Sequence, residues 1–140
     1  MDLNELRAFF ALSPFMQDLG VLPTAVGPGT VTTELAVAQR HLHHTGQVHA
    51  GVMAALADHS MGSAAQTLAP VGCWAITAEL KTSQLRPGKG RRLVCEAVVI
   101  KAGRTLSFTE AQVFAINGTA DGETRTLVMK ASATMALVKQ

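Results

Sequence analysis

The chain has 140 residues and a formal net charge of +2, and hydrophobic residues make up 48% of it, which predicts one domain with its own core. The basic residues are scattered except around residues 86–92, so a broad nucleic-acid-binding face is not expected. The N-terminus lacks a basic region before a long apolar stretch, and no apolar run approaches about 20 residues, so we expect a soluble, cytoplasmic protein without a membrane partner.

The first part of the chain predicts a short helix followed by a hairpin. Apolar residues recur at helical spacing within residues 1–14, where Asp2 is available as an N-cap and Pro14 closes the helix. Residues 20–29 contain two prolines and lead into Gly-Pro-Gly-Thr, which suits a hairpin turn. Residues 30–38 alternate between apolar and polar side chains, which predicts a strand.

Residues 43–68 form the central stretch, in which a His- and Gly-rich turn leads into a helix predicted over residues 49–68. This helix is apolar on almost every side, so it belongs inside the protein rather than on its surface. At about 100° per residue, one of its faces combines small residues with a single carboxylate. That face consists of Gly51, Ala54, Ala55, Asp58, Met61, Gly62 and Ala65.

Asp58 needs an explanation, because an isolated ionised carboxylate among apolar groups is costly. It either lies at a helix edge, where it meets solvent or a backbone donor, or it has a chemical task. The start of the helix favours a task, since Gly46, Ala50 and Gly51 leave backbone N–H groups open to a ligand oxygen. A helix N-terminus stabilises an oxyanion.

Beyond the central helix, segments of alternating polarity separated by turn residues predict an antiparallel meander. The helix and meander together predict an α+β fold in which the sheet wraps the helix, in a single domain over residues 1–140. In the first of these segments we expect Thr77, Glu79 and Lys81 on one face and the apolar residues on the other. The segments are residues 74–81, 93–101, 105–116 and 126–138.

The cysteines and histidines favour no metal centre. Cys73 and Cys95 fall in predicted strands without the close spacing of a metal or redox pair, so we expect reduced packing residues. All five histidines lie close together in sequence, but no acidic residue follows at the spacing that a metal site on a strand needs. We expect His41 and His44 to be exposed turn residues, and His59 to pack or to hydrogen-bond at an interface.

The central stretch carries an ordered motif, His43-x-x-Gly46-x-x-His49-Ala50-Gly51, with Asp58 nine residues after His49. This motif resembles the hotdog-fold acyl-CoA thioesterases of the phenylacetate-degradation (PaaI-like) type, whose pattern is Asn-x-x-Gly-x-x-His-Gly-Gly followed by Asp. His43 stands where that family has Asn, and Ala50 where it has the first Gly of the pair. The likeness continues into residues 77–87 and 101–108.

The resemblance implies the same architecture, an antiparallel sheet wrapped around a long central helix, and hydrolysis of a coenzyme A thioester. The backbone N–H of Ala50 or Gly51 would polarise the thioester carbonyl, and His43 and His49 would orient the thioester and the loop. Asp58 would act as general base or as nucleophile.

In the same family mechanism Thr77 would place the attacking water. Family sites lie between subunits, so we expect Asp58 and Thr77 to come from different chains. The minimum active unit would then be a homodimer, and a dimer-of-dimers tetramer is expected. An alternative is a non-catalytic acyl-CoA-binding or regulatory hotdog protein, which would keep the pocket and lose the base.

No cofactor is implied, since coenzyme A is part of the substrate. The basic residues near the predicted turns are either solvated side chains or contacts for the phosphates of coenzyme A. The candidates for phosphate contact are Arg86, Lys89, Arg91 and Arg104.

Overall fold

The computed structural model describes residues 1–140, which form one six-stranded antiparallel sheet and three α-helices. The strand order across the sheet is β1-β2-β4-β5-β6-β3, so β1 and β3 are the edges. None of the helices is both long enough and apolar enough to cross a membrane. In chain order the elements are α1 (Leu3–Ala11), α2 (Pro14–Leu19), β1 (Val21–Gly27), β2 (Thr30–Ala36), α3 (Ala50–Gln66), β3 (Cys73–Gln84), β4 (Arg92–Ala102), β5 (Leu106–Thr119) and β6 (Gly122–Lys139).

Helix α3 packs against five of the six strands, which confirms the predicted α+β fold with the sheet wrapped around a long helix. It is slightly shorter than the predicted helix over residues 49–68. The side of α3 that faces the sheet is fully buried. On this side the Ser60 hydroxyl donates to the Leu56 carbonyl and lies 2.8 Å from Thr33 Oγ1 of β2. The contact with β2 fixes the rotation of the helix about its axis. The buried residues of this side include Met53, Leu56, Ala57, Met61 and Ala64.

The opposite side of α3 is not buried within the chain, so the expectation that the whole helix lies inside the protein is wrong for a single chain. Met61 and Ala65 of the predicted small-residue face are buried, but Asp58 is half-buried. Because its side chains are small, the helix backbone on this side lies close to the surface. The residues that remain partly or fully open are Gly51, Ala54, Ala55, Asp58 and Gly62.

The N-terminal segment forms two helices where the sequence predicts one over residues 1–14. The Asp2 cap is confirmed, because Asp2 Oδ1 accepts the Glu5 N–H at 2.8 Å and the Glu5 carboxylate accepts the Asp2 N–H at 2.7 Å. Pro14 does not end a helix but begins α2 behind the cap Ser13. Proline is favoured at a first helical position, where its missing N–H would have no intrahelical partner.

Strand β3 contains a β-bulge at Ala78, since Thr77 pairs with Met135 and Glu79 pairs with Thr134. The extra residue shifts the alternation, so Thr77 and Leu80 face the α3 side together and Glu79 faces away. The predicted face containing both Thr77 and Glu79 is therefore wrong. Without the bulge, one of the two halves of β3 would turn its side chains to the opposite face of the sheet.

Helix α1 packs onto α3 through two phenylalanines that enclose His59. The Phe10 ring meets the imidazole edge-on at 4.5 Å, and the Phe9 ring stacks on it at 6.3 Å. His59 Nε2 is buried and has no hydrogen-bond partner. Burial lowers the pKa of His59 below its usual value near 6.5, and the neighbouring Asp58 carboxylate opposes part of that shift.

We expect the fold to lose stability below about pH 6.5, because His59 then binds a proton in the unfolded chain more readily than in the folded one. Above that pH both states hold a neutral imidazole, so this contribution is constant. The measurement is the free energy of unfolding in urea at pH 7.5 and pH 5.5 for the parent, for His59→Phe and for the control His44→Phe, whose imidazole is exposed. His59→Phe should lose less stability on acidification than the parent and the control; an equal loss in all three would contradict the assignment.

Candidate active site

The start of α3 is shaped by His49, which is the N-cap of the helix. Its Nδ1 accepts the Gly51 N–H at 2.8 Å. A Cβ at position 51 would lie 2.9 Å from that nitrogen, so the cap requires glycine there. The Ala50 N–H makes no hydrogen bond within the chain. Of the two predicted donors to a thioester oxygen, the Ala50 N–H is therefore free, whereas the Gly51 N–H is already bonded to His49.

A cleft of about 620 Å³ opens at this end of α3, between the His-rich turn and the segment after β3. His43, His49 and Ala50 line it from one side, and Leu85 and Arg86 line it from the other. His44 also lines it and is exposed as predicted. The structure therefore brings three of the predicted catalytic residues and one predicted phosphate contact to the same cleft.

His43 and His49 are held in the same tautomer. His43 Nδ1 accepts the Thr45 N–H at 3.1 Å, just as His49 Nδ1 accepts from Gly51, and the two rings lie 6.2 Å apart. Because Nδ1 is an acceptor in both, the neutral rings carry their proton on Nε2. The His49 Nε2–H is therefore free to donate to a ligand, whereas His43 Nε2 already lies 3.1 Å from Thr45 Oγ1.

Asp58 lies farther along α3 and meets Thr77 of β3. The Thr77 hydroxyl donates to Asp58 Oδ1 at 2.7 Å. The Gln66 side chain fixes this register, since its amide donates to the Cys73 carbonyl and accepts the Ala75 N–H, both at 2.9 Å. Together with the bulge at Ala78, these bonds point Thr77 toward the helix.

The expectation that Asp58 and Thr77 come from different chains is wrong, because one chain holds them in direct contact. The physical reason is the connection between them. Strand β3 follows α3 after a short turn and packs back along it, so a residue near the beginning of β3 faces the second half of the helix.

A cavity of about 90 Å³ surrounds this pair. Besides Asp58 and Thr77 it is lined by Phe9, His59 and Ser63, none of which the sequence predicts as a site residue. Phe9 lies far from the motif in sequence, and its helical spacing predicted only that it belongs to α1. Ser63 Oγ is buried and has no hydrogen-bond partner, and nothing in the sequence distinguishes it from other helix serines.

The two halves of the predicted site are separated along one helix. Asp58 lies eight residues after Ala50, which at 1.5 Å per residue is about 12 Å. A carbonyl group spans little more than 1.2 Å. A single carbonyl therefore cannot contact the Ala50 N–H and the Asp58 carboxylate of the same chain.

The predicted phosphate contacts do not form one group. Arg86 lines the cleft at the helix start and donates to the Leu127 carbonyl at 2.8 Å, and exposed Lys89 follows the cleft residue Gly88. Arg91 is instead paired with Glu123.

Arg104 lies in the turn between β4 and β5, near the start of β3, whereas Arg86 follows the end of β3. Opposite ends of a twelve-residue strand lie roughly 36 Å apart at about 3.3 Å per step. Arg86 and Arg104 of one chain therefore serve different surfaces.

The expectation that His41 is exposed is wrong, because the residue is fully buried. Its Nδ1 accepts the Ala38 N–H at 2.9 Å, and its Nε2 lies 2.7 Å from the Leu19 carbonyl. These bonds tie the segment before α3 to the end of α2, so the imidazole acts as a structural connector.

The cysteines lie in strands and are free, as expected. Burial is the main cause that raises the pKa of Cys95 to about 12, which keeps this thiol protonated at neutral pH. No cluster of three or more His, Cys, Asp or Glu side chains has a geometry that could hold a metal ion.

Comparison with known proteins identifies the family. A sequence profile described as "Thioesterase superfamily" matches residues 45–120. Human acyl-coenzyme A thioesterase 13 is 29% identical over 110 residues, which cover 77% of this chain and 78% of the human protein.

The solved structures agree with this assignment. A thioesterase family protein from Silicibacter pomeroyi has a TM-score of 0.90 and 29% identity, covering 97% of both chains. A variant of the phenylacetic acid degradation protein PaaI from Thermus thermophilus has a TM-score of 0.76 and 26% identity, covering 90% of this chain and 100% of that one. This chain therefore belongs to the thioesterase superfamily, as a hotdog-fold thioester hydrolase of the PaaI type.

Proposed function

We propose that this thioester hydrolase acts on acyl-coenzyme A and that Asp58 is its catalytic carboxylate. The observation that carries the proposal is the hydrogen bond from Thr77 to Asp58 Oδ1, which fixes the carboxylate beside a small cavity. The coenzyme A part of the substrate rests on the name of the human relative, an acyl-coenzyme A thioesterase.

In the proposed reaction Asp58 removes a proton from water, and the resulting hydroxide adds to the thioester carbon. Thr77 occupies one carboxylate oxygen, which leaves the other oxygen to receive the proton. The threonine oxygen also has a lone pair that can accept from the same water. The tetrahedral intermediate then releases the coenzyme A thiolate. Direct attack by Asp58 on the carbonyl, through an anhydride, is the alternative route from the same position.

The developing oxyanion needs a donor, and we infer that this donor is the Ala50 N–H of a second chain. Within one chain the Ala50 N–H is about 12 Å from Asp58, too far to serve the same carbonyl. A site assembled from Asp58 and Thr77 of one chain and the helix start of another removes that difficulty. The open small-residue side of α3 and the unpaired edge of β3 are surfaces on which a second chain can pack. The homodimer is then the minimum active unit.

His43 and His49 line the same cleft as Ala50, and His49 would donate from Nε2 to the thioester. His43 would do the same only by exchanging its Nε2 contact with Thr45 Oγ1 for the ligand. Arg86 lines this cleft and exposed Lys89 follows the cleft residue Gly88, and both are our candidates for contact with the phosphates of coenzyme A. Arg91 and Arg104 are not part of this proposal, because the first is paired with Glu123 and the second lies near the opposite end of β3.

Replacing Asp58 with Asn should lower kcat by at least about 100-fold, the usual scale for losing a general base. The amide keeps the shape of the side chain and can still accept from Thr77, so the fold should persist. The measurement is thiol release from acyl-coenzyme A by the purified variant. Asp18→Asn is the matched control, because Asp18 is exposed on α2 and should leave turnover unchanged. Near-normal turnover in the Asp58 variant would contradict the assignment.

Mixing two inactive variants tests whether the site is shared. Ala50→Pro removes the N–H at the first helical position, where proline is favoured, and the extended His49 backbone before it (φ −60°, ψ 134°) suits a residue preceding proline. Co-refolded in equal amounts with Asp58→Asn, it should restore roughly a quarter of parental activity, because half of the dimers carry one intact site out of two.

If one chain supplied both groups, every site in the mixture would carry a defect and no activity would return. Mixing Ala50→Pro with Asp18→Asn gives the reference for incorporation of the proline variant into active dimers.

A further inference from the structure

The cavity beside Asp58 has one wall that belongs to the N-terminal helix. Phe9 of α1 lines it together with Asp58 and Thr77, while Ala75 contributes only a methyl group and Gly62 has no side chain. Helix α1 lies outside residues 45–120, the part of the chain that matches the superfamily profile. The aromatic wall therefore comes from a part of the chain that the superfamily profile does not describe.

Phe9 contacts two other aromatic rings. Its ring lies 5.9 Å from the Trp74 ring and 6.3 Å from the His59 ring, with interplanar angles of 25° and 23°. Such near-parallel aromatic contacts within 7 Å are favourable beyond the area they bury. Leu6 and Phe10 of the same helix are fully buried and anchor α1 to the core. Phe9 is consequently a fixed wall rather than a side chain that swings aside.

The room beside this wall is small. The cavity has a volume of about 90 Å³, which is smaller than the roughly 150 Å³ apolar cavity that holds a benzene ring. The acyl carbons next to the carbonyl must lie here, because the reacting carbon has to come within about 3–3.5 Å of the attacking group that Asp58 directs. A short acyl chain of about four carbons fits such a space.

We propose that Phe9 is a specificity-determining residue that limits the substrate to thioesters of short acyl groups. The inference rests on the proposed function, because it takes Asp58 as the group that meets the thioester carbon. A straight chain that extends from the carbonyl toward α1 meets the Phe9 ring, which the Trp74 and His59 rings contact.

The test is kcat/KM for a series of straight-chain acyl-coenzyme A substrates from acetyl to dodecanoyl. The parent should prefer short chains. Phe9→Ala should raise the ratio of decanoyl to butanoyl activity by roughly 10-fold or more, the scale that apolar pockets give for added methylenes. Phe15→Ala is the matched control, because Phe15 lies on α2 and its side chain is 58% exposed; its ratio should equal that of the parent.

Phe9→Leu serves if Phe9→Ala does not fold, and it should shift the ratio in the same direction by a smaller factor. The ratio compares two substrates on the same enzyme, so it does not depend on the fraction of folded protein. An active parent that prefers long chains, or Phe9 variants whose activity changes equally for all lengths, would overturn the inference alone. A parent that hydrolyses no acyl-coenzyme A would overturn the proposed function, and the inference with it.

Discussion

The hydrogen bond between Thr77 and Asp58 is the contact on which the candidate site depends, and it depends in turn on a single extra residue in β3. The bulge at Ala78 lets Thr77 face the helix while Glu79 faces away. A regular strand that kept Thr77 in place would turn the Glu79 carboxylate toward the same side. Two carboxylates on one side of the sheet would repel each other, so the bulge keeps Asp58 the single acidic group of its cavity.

The two faces of helix α3 differ in composition: one packs on the sheet, and the other carries Asp58. Its sheet side carries large apolar residues and the Ser60 hydrogen bonds, which fix the helix in rotation. Its other side carries small residues, so a ligand or another chain can approach the backbone closely. Asp58 is tolerated there because it is half-buried and has the Thr77 hydroxyl as a partner, which removes the cost of an isolated buried carboxylate.

Much of the architecture can be predicted from the polarity patterns of the sequence. Alternation over the later segments predicts the meander, and the apolar stretch after His49 predicts the central helix. The bulge at Ala78 was not predicted, because no glycine or proline marks it and alanine fits either face. The burial of His41 cannot be predicted, since nothing in a His-rich turn indicates that one of its histidines will bond to two backbone groups. The aromatic wall from Phe9 was missed because it arises from packing between distant segments.

The spacing of Ala50 and Asp58 on one rigid helix also determines how the proposed enzyme responds to dilution. In the proposed two-chain site, an isolated chain cannot bring its Ala50 N–H and its Asp58 carboxylate to the same carbonyl, so activity would require association of two chains. With such a site, and when most chains are separate, the rate would rise with the square of the total protein concentration instead of in proportion to it. A cell could then regulate this activity simply by the amount of chain it makes, with no effector molecule.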